Sequence, residues 1–314
     1  MTEGQPVRFD NAWGRDVLRI GRRIRRRVLA HTLEHGGGYM SQACSSAEVL
    51  ATLYRGALRL GASVAPAVPR PFPGPPGPGR GDAFTGAGYN GPRSPELDRL
   101  YFSPVHYALV LYSALIEVGR MAPAGLDMFN RDGSTVELIG AEHSPGHEVT
   151  AGSLGQCLSQ AAGAAWARRR KGETGRNVVF MSDGEFQEGQ TWEAFAALSY
   201  HRLDNVLIYA DMNGQQCDGA METVMHIDPV AERLAAFGAR VVEVDGHDPV
   251  ALAAPTTLSP DGRPLVVLAR TDPCRGLDLL RSRAPRLHYL RFISEEERSR
   301  YADALAALDE EGGA

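Results

Sequence analysis

Two short runs in this chain carry oxygen-bearing side chains where a ligand could meet them. One reads Ser182-Asp183-Gly184-Glu185 and follows the apolar stretch Val178-Val179-Phe180-Met181. The other reads Asp211-Met212-Asn213-Gly214 and follows Val206-Leu207-Ile208-Tyr209. A carboxylate and an amide oxygen at matching positions suit a hard cation such as magnesium, which takes its remaining oxygens from phosphates and water. Gly184 lets backbone approach a phosphate, and a helix starting just beyond turns its positive end to the same place. Each run alone has a plainer reading. An Asp after a strand commonly caps a helix, and Asn-Gly commonly makes a turn. The metal and diphosphate reading rests on the two together, at the ends of parallel strands lying about 5 Å apart.

Such a pairing needs a particular scaffold. Apolar runs place strands over 177–181, 206–210, 240–244 and 265–269, with helices over 191–200 and 230–237 and another opening near Ser153. Strands alternating with helices give an α/β fold, a doubly wound parallel sheet with helices on both faces. Ligands of such sheets bind beyond the carboxyl ends of the strands. Upstream, helical patterns cover 11–35, stopped by Gly36-Gly37-Gly38, and 45–58, and an apolar segment from Leu97 leads to a helix over 104–119. A last helix over 294–308 opens on glutamates, which its dipole favours. Residues 62–95 are crowded with proline and glycine and are expected to form a loop or lid without packed elements. The chain, 1–314, reads as a single domain carrying that insert.

Composition narrows the class. A chain of 314 residues with 43% hydrophobic and 23% charged residues buries a sizeable core. A net charge of −5 gives no reason to expect nucleic acid or an anionic membrane as partner. The arginines of 22–27 alternate with Ile24 and Val28 at helical spacing and read as the solvated face of a helix. Four scattered cysteines without a CxxC pair argue against a zinc site or disulfide framework and fit a reducing cytoplasm. No apolar run approaches a membrane span, and the first residues lack a signal-peptide core.

The segment SDGEFQEGQTWEAFAALSYHRLDNVLIYADMNGQQCDG resembles the thiamine diphosphate motif of transketolases, approximately GDGxxxEGxxWEAxxxAxxxxLxNLxxxxDxNxxxxDG. The 30 positions between Asp183 and Asn213 match the interval between that family's metal ligands. A second block, TAGSLGQCLSQAAGAAWA, is similar to the family's TTGxLGQGxxxAxGxAxA. The resemblance runs from about Arg15 to the end of the chain, 62–95 excepted.

By that resemblance, Asp183, the Asn213 side chain and the Gln215 carbonyl bind magnesium, or calcium or manganese in its place. Gly184 and Glu185 belong to the diphosphate-binding turn, and Ser153, Leu154 and Gly155 form the loop that touches the pyrimidine. Glu188 matches the glutamate that hydrogen-bonds toward an activating glutamate on the pyrimidine-binding domain, and paired carboxylates can hold the proton that must move. Three histidines align with family histidines: His35 with the substrate-facing one of GHPGAPMG, His106 with the one near the diphosphate, and His288 with the one before the last helix.

The departures are informative too. PGHEVTAGSLGQC aligns with PGVEVTTGPLGQG, so His147 stands where a valine is usual. The sugar-contacting histidine then falls near Ala141, with His143 close by. The implied substrate is therefore an unusual ketose or 2-oxo acid, as in specialised biosynthesis. A transketolase continues with pyrimidine-binding and C-terminal domains, so these are expected on a separate partner chain, in a heterotetramer of two chains of each kind. Two other functions are consistent with the same residues. One is the alpha subunit of a 2-oxo acid dehydrogenase or decarboxylase, and the other is a non-catalytic scaffold that stabilises a partner.

Overall fold

The computed structural model describes residues 8–75, 77 and 86–310. Helix α1 (Asn11–His35) opens on Asp10, whose carboxylate accepts the Ala12 and Trp13 N–H groups at 3.0 and 2.9 Å. It stops at Gly36, where φ of 75° suits glycine alone without strain. Its inward stripe of Val17, Ile20, Ile24 and Val28 packs on α2 (Met40–Thr52), all of whose side chains are buried. The arginine run is less solvated than its spacing implies. Arg25 is buried against Glu48, and Arg27 reaches Glu117. The five arginines cannot all face solvent, because α1 is packed from more than one side.

Helix α2 begins at Met40, earlier than the expected 45, and passes into a π-turn at Leu53–Ala57. The main elements follow in order: β1 (Arg99–Phe102), α3 (Ala108–Glu117), α4 (Gln156–Arg170), β2 (Asn177–Ser182) and α5 (Gly189–Tyr200). Then come β3 (Val206–Met212), α6 (Val230–Ala236), β4 (Arg240–Asp245), β5 (Leu265–Arg270) and α7 (Glu295–Glu310). The five strands form one parallel sheet in the order β1-β2-β3-β5-β4. Strand β1 is an addition to the expected set. Four residues that include a charged Arg99 carry too little apolar pattern to be read as a strand.

Successive strand residues divide between two cores, as the pleat requires. Val178, Phe180, Leu207 and Tyr209 pack with α1, α2 and α3 on one face. Val179, Met181, Ile208 and Ala210 pack with α4, α5 and α6 on the other. Both cores cover a sheet that is apolar throughout its centre, which is why its strands read as continuous hydrophobic runs.

The Pro/Gly-rich segment is a pinned strap. Val64 N–H donates to the Gly88 carbonyl at 3.0 Å and Phe72 N–H to Gly133 at 2.8 Å, while Ala67 accepts from Ala122 at 2.7 Å. The expectation of no packed element fails at Gly86–Asn90, a 3-10 turn with Tyr89 buried and its hydroxyl on the Pro66 carbonyl. Residues 76 and 78–85 of that segment lie outside the described residues. No described helix is long and apolar enough to cross a membrane.

Candidate functional site

Strands β2 and β3 pair with Ser182 opposite Asp211, and β5 lies on the other side of β3 with Ala269 opposite the same Asp211. The carboxyl ends of three neighbouring strands therefore converge around Asp211. Asp183 opens the turn after β2 and is almost fully buried, 2% exposed. One of its oxygens accepts the Gly184 N–H at 2.9 Å and the other the Gly214 N–H at 2.8 Å. Among the described residues no cationic side chain forms an ion pair with it. Burial, with Asp211 adding to it, lifts its carboxyl to about 8.

Asn213 follows β3. Its amide nitrogen faces three oxygens: Tyr107 Oη at 3.0 Å, Asp211 Oδ2 at 3.2 Å and Ser45 Oγ at 3.3 Å. The other amide atom takes the Gln215 N–H at 2.8 Å, and an N–H only donates, so that atom is Oδ1 and the nitrogen is the one that faces Asp211. Asp211 fixes this arrangement. It takes hydrogen bonds from Ser45, Tyr107 and Thr271 as well as from Asn213, and is wholly buried. Gln215 and Gln216 pair with Gly219 and Ala220 in a short hairpin, and Gln215 Oε1 is a buried oxygen without a hydrogen-bond partner among the described residues.

Gly184 stands in open space: a Cβ there would meet nothing within 4 Å. Neither the protein's packing nor a left-handed φ demands glycine at this position, which leaves room for a ligand as the reason. Glu185 has a different place from the one expected of a cofactor contact. Its carboxylate is buried and turned inward, accepting from Ser182 N–H at 2.9 Å, Gly155 N–H at 3.2 Å and the Ser103 hydroxyl. It forms a capping box with Ser182 and ties the Gly155 loop to the β2 end.

Gly155 has φ of 79° and caps α4, and a Cβ on it would lie 2.9 Å from the Cβ of Glu188. Ser153 is exposed and Leu154 half-buried on the same loop. Glu188 caps α5 through its backbone position, with an exposed side chain that makes no hydrogen bond among the described residues.

The histidines divide into two groups. His106 and His288 lie with ring centroids 5.0 Å apart, and Tyr39 joins them at 5.9 and 5.4 Å. Burial holds His106 down to about 3, so its imidazole is neutral. His106 adjoins Tyr107, the residue that holds Asp211 and Asn213, so this ring cluster borders the metal-type site. His35 is not in it. It stacks on His31 at 4.0 Å in the last turn of α1 and bonds to the His31 carbonyl, while Tyr39, past the glycine turn, takes the place expected for it. His147 is fully buried against Gly140, and His143 pairs with Glu137 and meets Phe72 of the strap.

Among the described residues no three His, Cys, Asp or Glu side chains cluster as a metal cage. The donor set is instead two oxygens beside an open backbone turn, which fits a cation shared with phosphate oxygens. The family description "Transketolase, thiamine diphosphate binding domain" matches residues 87–272, which span all the strand ends just described. The chain belongs to the transketolase family. A putative uncharacterized transketolase family protein of Sinorhizobium fredii, y4mO, is 33% identical over 295 residues, 92% of this chain and 93% of that one. The 6-deoxy-6-sulfo-D-fructose transketolase subunit SqwG of a Clostridium species is 31% identical over 224 residues, 70% of this chain and 80% of that one. The transketolase of Leishmania mexicana shares the fold, with a TM-score of 0.64 at 19% identity over 95% of this chain. The chain spans 45% of that transketolase.

Within this transketolase-family chain, the residues that sequence spacing missed are Asp211, Ser45, Tyr107 and Thr271. Asp211 stands inside the DxN of the motif, and its acidity next to Asn213 was a usable signal. Ser45 and Tyr107 are 166 and 104 residues away from it in sequence, and no local pattern marks them.

Proposed function

We propose that this chain is the diphosphate-binding subunit of a two-component transketolase-like enzyme that transfers a two-carbon ketol unit. When bound, thiamine diphosphate supplies the carbon nucleophile for breaking and remaking the bond beside a ketose carbonyl. Asp183, the Asn213 amide oxygen and the Gln215 carbonyl hold magnesium, and Gly184 gives the diphosphate room. The single observation that carries this reading is a buried Asp183 with no ion-pair partner among the described residues, bonded to the turn that follows Asn213. Such a carboxylate is costly to leave unpaired, and a divalent ion satisfies it.

The protein's own residues do the positioning. Glu185 and Ser103 fix the Gly155 loop, whose backbone meets the pyrimidine. Glu188 presents an unpartnered carboxylate to an acidic side chain of the partner chain and holds the shared proton. His106, His288 and Tyr39 form the substrate wall, neutral and rich in hydrogen-bonding groups. The partner carries the pyrimidine-binding function, and support for it comes from SqwG, a relative named as a subunit that this chain matches over 80% of its length. An assembly of two chains of each kind, in the cytoplasm, completes the proposal. The four cysteines are all free thiols, as that compartment favours.

The test is reconstitution. Calorimetry on the complex should show thiamine diphosphate binding that requires magnesium, and ketol transfer should need both chains. Full transfer by this chain alone would overturn the two-component reading, and absence of magnesium-dependent binding would overturn the cofactor reading.

A further inference from the structure

Helix α2 carries a buried glutamine that no part of the cofactor reading uses. Gln42 is 3% exposed, and its side-chain nitrogen lies 3.1 Å from the backbone carbonyl of His288 and 3.2 Å from that residue's Nδ1. Its side-chain oxygen accepts the Ser41 hydroxyl at 3.0 Å. A carbonyl oxygen can only accept, so the atom facing it must be the amide nitrogen. That nitrogen has a second hydrogen, and Nδ1 receives it. To accept, Nδ1 must be bare, and a neutral imidazole then keeps its one proton on Nε2. A doubly protonated ring would set two N–H groups against each other at this contact, so the same glutamine also disfavours the cation. No described residue hydrogen-bonds Nε2, and the ring stands against His106 and Tyr39 in the wall beside the metal-type site.

Resting on the functional reading above, we infer that Gln42 is a positioning residue that locks His288 in its Nε2–H tautomer, so that this chain offers a neutral hydrogen-bond donor to a hydroxyl or carbonyl oxygen of the ketose substrate. His288 touches the substrate and Gln42 acts only through it. A donor without charge suits the uncharged polyol portion of a sugar, whose oxygens need direction more than charge. The tautomer decides the sign of the contact. With the proton on Nδ1, the same nitrogen would meet the substrate oxygen as an acceptor and would favour a hydroxyl that donates.

The full-length chain with 15N-labelled histidine tests this by long-range proton–nitrogen correlation spectra, His288 being assigned through His288→Asn. The wild-type chain is expected to show the Nε2–H pattern at His288. Gln42→Leu should give a mixture of tautomers, and Gln42→Glu should move the proton to Nδ1, because a carboxylate accepts where the amide donated. In the reconstituted enzyme Gln42→Leu should raise KM for the donor ketose about five- to tenfold with thiamine diphosphate affinity unchanged. A wild-type Nδ1–H tautomer, or a tautomer indifferent to both substitutions, overturns the inference. The wild-type spectrum decides this even if a variant fails to fold. A shifted tautomer with unchanged KM overturns the substrate contact. The spectra require no turnover, so a complex that binds no cofactor overturns the functional reading separately.

Discussion

Asp183 Oδ2 accepts the Gly214 N–H at 2.8 Å, so the carboxylate ending one strand is bonded to the turn that follows Asn213 on the next. The two oxygen donors proposed for the cation are thereby tied together through the protein's own backbone. What remains unsatisfied is charge, since backbone N–H groups alone offset little of the cost of burying a carboxylate.

That imbalance gives a pH signature. The Asp183 carboxyl is raised by burial from its ordinary value to about 8. Between about pH 4 and pH 8 the folded, metal-free chain therefore binds the proton that the unfolded chain has lost, and stability falls as pH rises through that window. Thermal melts of the metal-free chain from pH 5 to 8 should show this decline. Asp183→Asn should flatten it, gain on the order of a few kcal/mol at pH 8, and abolish magnesium-dependent cofactor binding. An unchanged slope in the variant would count against the assignment.

Gly184→Ala separates ligand contact from packing. A Cβ there touches no protein atom within 4 Å, so the melting temperature should stay within a degree or two or rise slightly. Cofactor affinity should fall about tenfold or more, because the methyl group enters the space kept for the diphosphate. Calorimetry and a melt on the same sample check both halves.

Tyr107→Phe removes a hydroxyl that donates to Asp211 at 2.9 Å and accepts from Asn213 at 3.0 Å. The expected loss is about 1–3 kcal/mol of stability, with Asp211 left short of a donor. The Asn213 amide also gains freedom to rotate, so the magnesium concentration needed for half-maximal cofactor binding should rise.

Glu48 ties α2 to Arg25 of α1 and to His247. Its carboxylate accepts from Arg25 at 2.8 and 2.6 Å and meets His247 Nδ1 at 3.1 Å. Burial pushes this carboxyl up, but Arg25 and His247 outweigh it and hold it at about 2. The stability it contributes is present above about pH 4.5 and is lost as pH falls toward 2. Glu48→Gln should cost about 3–5 kcal/mol at neutral pH, because it leaves Arg25 buried without its partner. It should also weaken the acid dependence of the melt below pH 4.5.

The sheet's centre was legible because Val178–Met181 and Val206–Tyr209 are buried on both faces and read as unbroken apolar runs bounded by chemistry at their ends. The places of Asp183 and Asn213 at the ends of two paired strands could be read for the same reason. His35 lies outside the ring cluster because it still belongs to the last turn of α1, where it stacks on His31, and Tyr39 beyond the Gly36 turn meets His106 and His288 instead. Strand β1 escaped notice for its length and its buried Arg99. Ser45, Tyr107 and Gln42 have no local signature at all, because what makes each of them matter is a partner more than a hundred residues away. The strap over 62–75 shows the same limit. Proline and glycine report that a segment will not be helix or strand, but not that its carbonyls will be pinned.

Gln42, Ser45 and Glu48 follow one another at three-residue steps along α2, and each bonds a different structure: His288, Asp211 and the Arg25–His247 pair. One stiff rod thus mounts the His288 ring and the Asp211 carboxylate that orients Asn213 at a set separation, like two fittings drilled into the same bar. On the proposed function, the rings around Tyr39 could therefore be exchanged for a new substrate while their distance from the diphosphate end stays set. Moving the bar itself would misalign both ends at once.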